Sequence, residues 1–327
     1  MADNPHPFET LTPSFILDAI ESQGYWSDGR SFPLNSYENR VYQVGIEDAE
    51  PLIAKFYRPG RWSDAQILEE HQLCFELAEQ ELPVVAPLQR DGESLFYVGG
   101  FRFALFPRKG GHAPELDNPD NLFVLGRLLA RMHLVGATKD FEHRPSIDIQ
   151  SYGYDSARFV SEHFIPQDLK ASYDALTRDI LQTIELRLAE AGDVKQLRVH
   201  GDCHGGNMLW RDDAPHFVDF DDTRMAPAVQ DIWMLLSGER HEQLAQLSEI
   251  IDGYSEFNDF SLRELQLVEV LRTLRIMNYA AWLARRWEDP AFPHSFTWFN
   301  TPRYWSEHIL ELREQFAALQ EPALTLV

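Results

Sequence analysis

Two short segments hold the polar residues whose types and spacing could do chemistry. Asp202 and Asn207 stand five residues apart, and Asp219 follows Asn207 by twelve residues between two apolar neighbours. A carboxylate can orient a hydroxyl and accept its proton, whereas carboxylate and amide oxygens are the hard ligands that suit Mg²⁺. The spacing therefore predicts phosphoryl transfer from ATP, with Asp202 as the base and with Asn207 and Asp219 around Mg²⁺.

A lysine in an apolar stretch could supply the cation that nucleotide phosphates need. Lys55 lies in the middle of a strand predicted over residues 51–57, where a lone ammonium would be costly to bury. Glu70, on the helix that follows, is its predicted partner, and the neighbouring Glu69 is the alternative. We interpret Lys55 as the phosphate-binding cation, against the alternative of a solvated lysine on an edge strand.

Four further polar residues belong to these segments or lie near them in the predicted fold. Ser36 lies in a turn without glycine, and we predict that its hydroxyl and backbone N–H bind a phosphate, with an ordinary hairpin turn as the alternative. His204 would either contact the acceptor or phosphates, or shape the loop. Asp221 would either assist a second metal ion or the substrate, or brace the loop. Asp231 is predicted to be a buried anchor for the loop that carries Asp202.

The pattern of elements that must position these residues changes near residue 107. Before it, alternation predicts a small antiparallel sheet with one helix, and after it, apolar residues at helical spacing predict a mainly helical region. The chain is therefore predicted to have an α+β fold with two lobes, residues 1–107 with the nucleotide-binding sheet and residues 108–327 with the catalytic and metal loops. The predicted strands are 41–44, 51–57, 84–88, 94–98, 101–106 and 197–199, and the predicted helices are 10–24, 63–81, one beginning at 119, 168–191, 261–287 and 301–319.

The excess of negative charge limits the partners that the protein could bind. The 327 residues include 29 Lys and Arg against 52 Asp and Glu, which gives a formal net charge of −23. Such a charge disfavours nucleic acid and anionic membrane surfaces and favours cationic partners, such as basic protein segments. A nucleotide must then be bound by a local positive feature.

Targeting and redox signals are weak throughout the chain. We find no signal peptide and no apolar run long enough to span a bilayer. The two cysteines, Cys74 and Cys203, lack disulfide-framework or zinc spacing, and we predict that both are inert. We therefore expect a cytoplasmic protein, and we expect it to be a monomer.

These residues together resemble a known family. The motif H-G-D-x-x-x-x-N from His200 to Asn207, the V-D-F-D motif at Asp219 and the A-K pair at Lys55 resemble the aminoglycoside and choline kinase branch of the protein-kinase-like superfamily. Further segments resemble a family of bacterial stress-response kinases within that branch, so that the resemblance runs from about residue 8 to 320. These segments are 34–42, 55–59, 66–72, 227–231 and 287–293.

The resemblance implies a two-lobed kinase fold that binds ATP, with Mg²⁺ at Asn207 and Asp219. It implies a serine/threonine protein kinase of a cytoplasmic stress response. Its substrates would be proteins, and the kinase itself could be one of them. The alternatives are a small-molecule kinase for a cationic alcohol of the choline, aminoglycoside or homoserine type, a nucleotide-gated pseudokinase, and a metal-dependent hydrolase with His200, Asp202 and His204 as ligands. Gly201 stands where protein kinases carry arginine, and no activation segment is found, so control by activation-loop phosphorylation is not expected.

Overall fold

The structure of the protein, a computed structural model, describes residues 8–211 and 214–326 and has the predicted α+β composition. Within these ranges it has nine strands and ten α-helices. The strands are β1 (Ser27–Pro33), β2 (Arg40–Ile46), β3 (Ala49–Phe56), β4 (Phe96–Val98), β5 (Phe101–Pro107), β6 (Leu197–Val199), β7 (Met208–Arg211), β8 (Ala214–Phe217) and β9 (Arg224–Ala226). The helices are α1 (Pro13–Glu21), α2 (Asp64–Glu79), α3 (Pro119–Gly136), α4 (Asp155–His163), α5 (Gln167–Ala191), α6 (Val229–Trp233), α7 (Arg240–Tyr254), α8 (Val268–Arg285), α9 (Ala291–Ser295) and α10 (Pro302–Gln320).

Two compact units make up the described chain. The first contains the described part of Met1–Pro114 together with Phe141–Arg144 and His204–Thr223, and the second contains the rest. The predicted lobe boundary at residue 107 stays a prediction. The two later segments join the first unit through contacts that are distant in sequence, which a scan along the chain does not detect.

The first unit is built on an antiparallel sheet with the strand order β1-β2-β3-β5-β4. Lys55 is in the central strand β3, where it pairs with Val41 of β2 and Ala104 of β5. Side chains alternate along a strand, so Ala54 and Phe56 enter the larger core of this unit while Lys55 lies on the opposite face. Lys55 is 5% exposed, and it is therefore a buried lysine of a central strand and not a solvated lysine at an edge.

Helix α2 begins with the capping box that the sequence predicts. The Ser63 hydroxyl oxygen accepts a hydrogen bond from the Gln66 backbone N–H, and the Gln66 side chain accepts one from the Ser63 N–H. Both interactions satisfy N–H groups that have no partner inside the helix. The residues that the helix buries are Ile67, Glu70, His71, Leu73, Cys74 and Leu77. The burial of Cys74 agrees with its predicted inert role.

The second unit is mainly helical, with a core formed by α4, α5, α8 and α10. Helices α3 and α7 approach closely because each has a glycine at the contact. A Cβ atom on Gly126 would lie 2.0 Å from the Ile250 carbonyl oxygen, and one on Gly253 would lie 2.1 Å from the Phe123 carbonyl oxygen. Any larger residue at these two positions would force the helices apart.

Two predicted elements are wrong in detail. The predicted strand at 84–88 has only an isolated bridge, between Val84 and Phe217. Ser261 makes no capping hydrogen bond, and a 3₁₀ helix over Leu262–Leu267 precedes α8. The reason is that the Glu264 carboxylate, which would complete a capping box with Ser261, accepts a hydrogen bond from the Val229 N–H at 2.9 Å instead. A tertiary contact therefore overrides the local capping signal.

Hydropathy gives no sign of a membrane segment in the structure. Over the described ranges, every helix is either too short or too polar to cross a bilayer.

One histidine of α2 lies in the interior of the first unit between two hydroxyl groups. The two ring nitrogens of His71 are each 2.8 Å from a hydroxyl oxygen, one of Tyr57 and the other of Ser94. Burial, helped by two nearby cations, lowers the pKa of His71 to about 3. The imidazole is therefore neutral in the folded protein at any pH at which enzymes usually work.

We expect this histidine to make the folded protein sensitive to mild acid. The unfolded chain protonates histidine near pH 6.5, whereas folded His71 stays neutral down to about pH 3. The unfolded state therefore binds more protons in this range, and this histidine alone lowers the free energy of unfolding by about 1.6 kcal/mol between pH 6.5 and 5. Urea unfolding at both pH values measures the change. His71→Gln should show a flatter dependence, and equal slopes in the two proteins would contradict this assignment.

Candidate active site

The ammonium of Lys55 lies within ion-pair distance of three carboxylates. Its Nζ is 3.3 Å from Glu70 Oε1, 3.3 Å from Asp219 Oδ1 and 3.0 Å from Asp221 Oδ1. Glu70 is therefore the partner of Lys55 in the structure. The alternative, Glu69, accepts hydrogen bonds from the backbone N–H groups of residues 142–144 instead.

Charge outweighs burial in setting the protonation of this cluster. Burial alone would lower the pKa of Lys55, but the carboxylates of Asp221, Glu70 and Asp219 hold it well above its ordinary range. Burial alone would raise the pKa of Asp221, but the cations of Arg61, Lys55 and others hold it well below its ordinary range. The lysine and Asp221 are therefore both charged at neutral pH, and the cluster is a preformed set of opposite charges.

Asp219 differs from its carboxylate neighbours in exposure and in backbone conformation. Its side chain is 57% exposed, against 2% for Glu70 and 6% for Asp221. Its φ of 58° lies in the left-handed region, which non-glycine residues adopt rarely and which is concentrated at functional sites. The carboxylate of Asp219 is therefore the one in this cluster that solvent can reach.

A short hairpin explains why Asn207 and Asp219 are twelve residues apart. Strands β7 and β8 pair antiparallel with Met208 opposite Phe217. Asn207 directly precedes β7 and Val218 directly follows β8, and the Val218 N–H donates to the Asn207 carbonyl oxygen at 3.0 Å. The hairpin therefore holds both predicted metal ligands at the same end, within the first unit.

The predicted base, Asp202, lies in the second unit on a loop held by a buried carboxylate. Asp231 is fully buried and accepts hydrogen bonds from the backbone N–H groups of His200, at 2.8 Å, and Gly201, at 2.9 Å. Its Oδ2 is also 3.2 Å from His133 Nε2. The prediction that Asp231 anchors this loop is confirmed by these contacts.

The backbone at Gly201 has a conformation that favours glycine at this position. Its φ is 83°, a conformation that glycine adopts readily and that arginine would adopt only with strain. Its N–H donates to Asp231 and its carbonyl oxygen accepts from Gln230 Nε2 at 2.9 Å. The glycine therefore lets both of its backbone polar groups bind buried side chains immediately before Asp202.

Two arginines that the sequence analysis did not single out complete the first unit's cluster. Arg61 Nη1 is 2.7 Å from Asp221 Oδ2, and its Nη2 is 2.8 Å from Asp222 Oδ1. The Arg144 side chain is fully buried and donates to Glu70 Oε2 at 3.0 Å and to the Asp221 carbonyl oxygen at 2.8 Å. Arg61 comes shortly after the strand of Lys55 in the sequence, and this proximity could have identified it as part of the site. No local feature of the sequence identifies Arg144 in the same way.

These contacts favour one of the two alternatives for Asp221. One of its carboxylate oxygens is paired with Lys55 and the other with Arg61, and the side chain is 6% exposed. In this arrangement the Asp221 carboxylate braces the loop, and its assistance to a second metal ion or to the substrate stays a prediction.

The turn that contains Ser36 is held together from inside. The Ser36 hydroxyl donates to the Asn39 carbonyl oxygen at 3.0 Å, and the Asn39 side chain accepts from the Arg58 N–H at 3.0 Å. Glu38 adds ion pairs to Arg58 and Arg61. The phosphate-binding role of Ser36 stays a prediction, and the hydroxyl would have to leave Asn39 to take it.

Two other loop residues have structural partners. His204 Nδ1 accepts a hydrogen bond from the Gly206 N–H at 2.9 Å and so caps the short 3₁₀ turn over Gly205–Asn207. Cys203 is fully buried, and burial raises the pKa of its thiol well above the ordinary value. Cys203 is therefore a protonated, inert thiol, as predicted.

The chemistry of the donor set in the first unit fits a divalent ion bound together with nucleotide phosphates. Within the described part of the chain, no cluster of three or more His, Cys, Asp or Glu side chains could hold a metal ion. Mg²⁺ usually takes one or two protein oxygens and completes its octahedron with phosphate oxygens and water. An exposed Asp219, with Asn207 at the same hairpin end, matches that requirement, and Lys55 supplies the adjacent positive charge.

Comparison with known proteins gives a consistent result over the whole chain. Residues 31–267 match the phosphotransferase enzyme family. Stress response kinase A of Escherichia coli (strain K12) is 46% identical over 327 residues, which cover all of this chain and 99% of the relative. A Salmonella typhimurium relative named serine/threonine protein kinase RdoA is 45% identical with the same coverage. The resemblance drawn from the motifs is thereby confirmed.

Solved structures show the same fold at low sequence identity. The amicoumacin kinase hAmiN, in complex with AMP-PNP, Ca²⁺ and Ami, has a TM-score of 0.71 at 18% identity, with 94% of each chain covered. A microcompartment-associated aminopropanol kinase has a TM-score of 0.69 at 18% identity, with 92% of this chain and 96% of that chain covered. The predicted kinase-like fold is therefore confirmed.

Proposed function

This chain belongs to the phosphotransferase enzyme family, and from that premise we propose that it transfers the γ-phosphoryl group of Mg²⁺-bound ATP to serine or threonine hydroxyls of proteins in a stress response. The observation that carries the proposal is the charged cluster of the first unit. A buried lysine held by Glu70 stands beside an exposed, left-handed Asp219. Phosphoryl transfer requires charged groups of this kind, because the reaction depends on the positioning of the reactants and on neutralisation of the phosphate charge.

Each proposed role follows from the chemistry of one side chain. Lys55 would bind phosphate oxygens, and Glu70, which is itself bound by Arg144, would hold it in position. Asn207 and Asp219 would hold Mg²⁺, which when bound neutralises the charge of the phosphates. Asp202 would orient the acceptor hydroxyl. The acceptor oxygen forms a bond to the γ-phosphorus, the bond to the bridging oxygen of ADP breaks, and the hydroxyl proton goes to Asp202.

The protein acceptor is supported by the more similar relatives and not by the fold. The relative named a serine/threonine protein kinase is 45% identical over the whole chain. The solved kinases named for amicoumacin and aminopropanol are 18% identical, and at that distance a shared fold hosts many acceptors. We therefore favour a protein acceptor over a small alcohol.

Transfer of labelled phosphate tests the proposal directly. The protein is incubated with γ-labelled ATP and Mg²⁺, with a basic protein, an acidic protein or no added substrate, and the labelled residues are identified. We expect phosphoserine or phosphothreonine that disappears when Mg²⁺ is chelated. Turnover of choline, aminopropanol or an aminoglycoside without any labelled protein would identify a small-molecule kinase. ATP binding without any transfer would identify a pseudokinase.

A further inference from the structure

The predicted base carries a cationic partner inside the second unit. Arg275 Nη1, on α8, is 2.7 Å from Asp202 Oδ1. The Arg275 side chain is 42% exposed, whereas the Asp202 side chain is 21% exposed. Arginine has five N–H donors in a planar fork, and one ion pair does not use them all. A group that approaches the Asp202 carboxylate would therefore meet a guanidinium at the same place.

The helix that carries this arginine is positive in a strongly negative protein. Over Val268–Arg285 it has Arg272, Arg275 and Arg285 against a single acidic residue, Glu269, although the chain has a net charge of −23. Arg272 is neutralised by Glu269 at 2.9 Å. Arg275 is paired with Asp202 itself, so its guanidinium is the positive group that an acceptor would meet beside this carboxylate. At contact distance such a local charge outweighs the overall negative charge of the chain.

An exposed aromatic ring lies one turn further along the same helix face. Tyr279 follows Arg275 by four residues, which places the two side chains on one face, and it is 43% exposed. Its ring stacks on Trp282, with centroids 5.7 Å apart and planes 16° apart. Trp282 in turn packs against Phe292. The tyrosine ring is therefore supported from behind and offers a firm apolar surface beside the guanidinium.

We propose that Arg275, with Tyr279, forms an acceptor subsite beside Asp202 that selects a hydroxyl flanked by an acidic group. The proposal rests on the proposed function only in taking Asp202 as the group that receives the acceptor hydroxyl. The guanidinium fork matches a carboxylate in geometry and charge. A cationic group in the same position would be repelled. In a protein substrate, the selected site is a serine or threonine next to aspartate or glutamate, although the net charge favours basic proteins at long range.

Matched serine peptides that differ only in their flanking residues test this selection. We expect the wild-type protein to show a kcat/KM about ten times higher for the peptide with acidic flanks than for the one with basic flanks. The difference arises because the basic flank would place a like charge against the Arg275 guanidinium. Arg275→Met should bring the ratio close to one, and Arg275→Lys should keep part of it. Arg275→Glu should reverse the preference.

Arg272→Met is the matched control. It removes a cation from the same helix, but this cation is paired with Glu269 and not with Asp202. It should leave the acidic-to-basic ratio unchanged. A wild-type enzyme without the preference would overturn the proposal. So would a uniform fall in kcat for all peptides in Arg275→Met, because that result would mean that the arginine only positions Asp202.

A second set of acceptors separates this proposal from the proposed function. Small alcohols with a carboxylate, no charge or an ammonium beside the hydroxyl are tested in the same assay. If no peptide is phosphorylated but an alcohol is, the protein-kinase proposal fails. The ratio of the anionic to the cationic alcohol, and its change in Arg275→Met, then still decides whether the arginine selects the acceptor.

Discussion

Replacing Asp219 with asparagine is expected to lower kcat/KM for phosphoryl transfer by a factor of about 10³. Asparagine has nearly the same volume and tolerates the left-handed backbone that Asp219 adopts, so the loop should keep its conformation. The change removes the negative charge from the one carboxylate among the two proposed Mg²⁺ ligands, which is also one of the three carboxylates around Lys55. Charge stabilisation by a metal ion contributes several kcal/mol, and each 1.36 kcal/mol is a factor of ten.

Steady-state rates over a range of Mg²⁺ concentrations measure this effect. The substitution should weaken Mg²⁺ binding as well as slow the reaction. The Mg²⁺ concentration for half-maximal activity should therefore rise in Asp219→Asn. Asp91→Asn is the matched control, since Asp91 is also a left-handed aspartate of the first unit, with a φ of 52° and a fully solvated side chain. The control should be as active as the wild type, and an Asp219→Asn protein within threefold of wild type would refute the assigned role.

Replacing Asp202 with asparagine is expected to lower kcat by a factor of about 10² to 10⁴, the usual contribution of a positioned acid or base. The asparagine keeps the shape of the side chain but cannot accept the hydroxyl proton. The residues proposed to bind ATP and Mg²⁺ belong to the first unit and are unchanged. The KM for ATP should therefore stay within a small factor of the wild-type value.

The split between kcat and KM separates this role from a loss of folding. Asp193→Asn changes an exposed aspartate of the same unit and is the control. Thermal unfolding of all three proteins should give similar midpoints. Full activity in Asp202→Asn would show that another group receives the proton, and a rise in the KM for ATP with unchanged kcat would show that Asp202 acts on nucleotide binding instead.

Local patterns were sufficient wherever the relevant interaction is close in sequence. The capping box of α2 and the alternation of β3 both appear in the structure as predicted. The Asn207-to-Asp219 spacing was also informative, because it is the length of one hairpin with its flanking residues. In each case a few consecutive residues fix the geometry, through hydrogen bonds within a helix or across a tight pair of strands.

Prediction failed where a side chain has a partner far away in the chain. Glu264 completes no capping box, because it binds the backbone at Val229. Arg144 was not singled out, although it joins α2 to the loop after Asp219. The bracing role of Asp221 is favoured only by the two cations on its two carboxylate oxygens, which are distant in sequence or outside its motif. A sequence read locally has no measure of such pairings, because a single charged residue looks the same whether solvent or a buried partner neutralises it.

The sequence by itself determined the type of fold, the family and the set of reactive groups, since these depend on residue types at fixed spacing and on periodic burial. Only the tertiary structure decided which glutamate binds Lys55 and which aspartate beside Lys55 stays accessible to solvent. It also placed an arginine of α8 in an ion pair with Asp202. The physical reason is that exposure and ion pairing are properties of packed surroundings, and the packing is produced by contacts between residues that the chain keeps far apart.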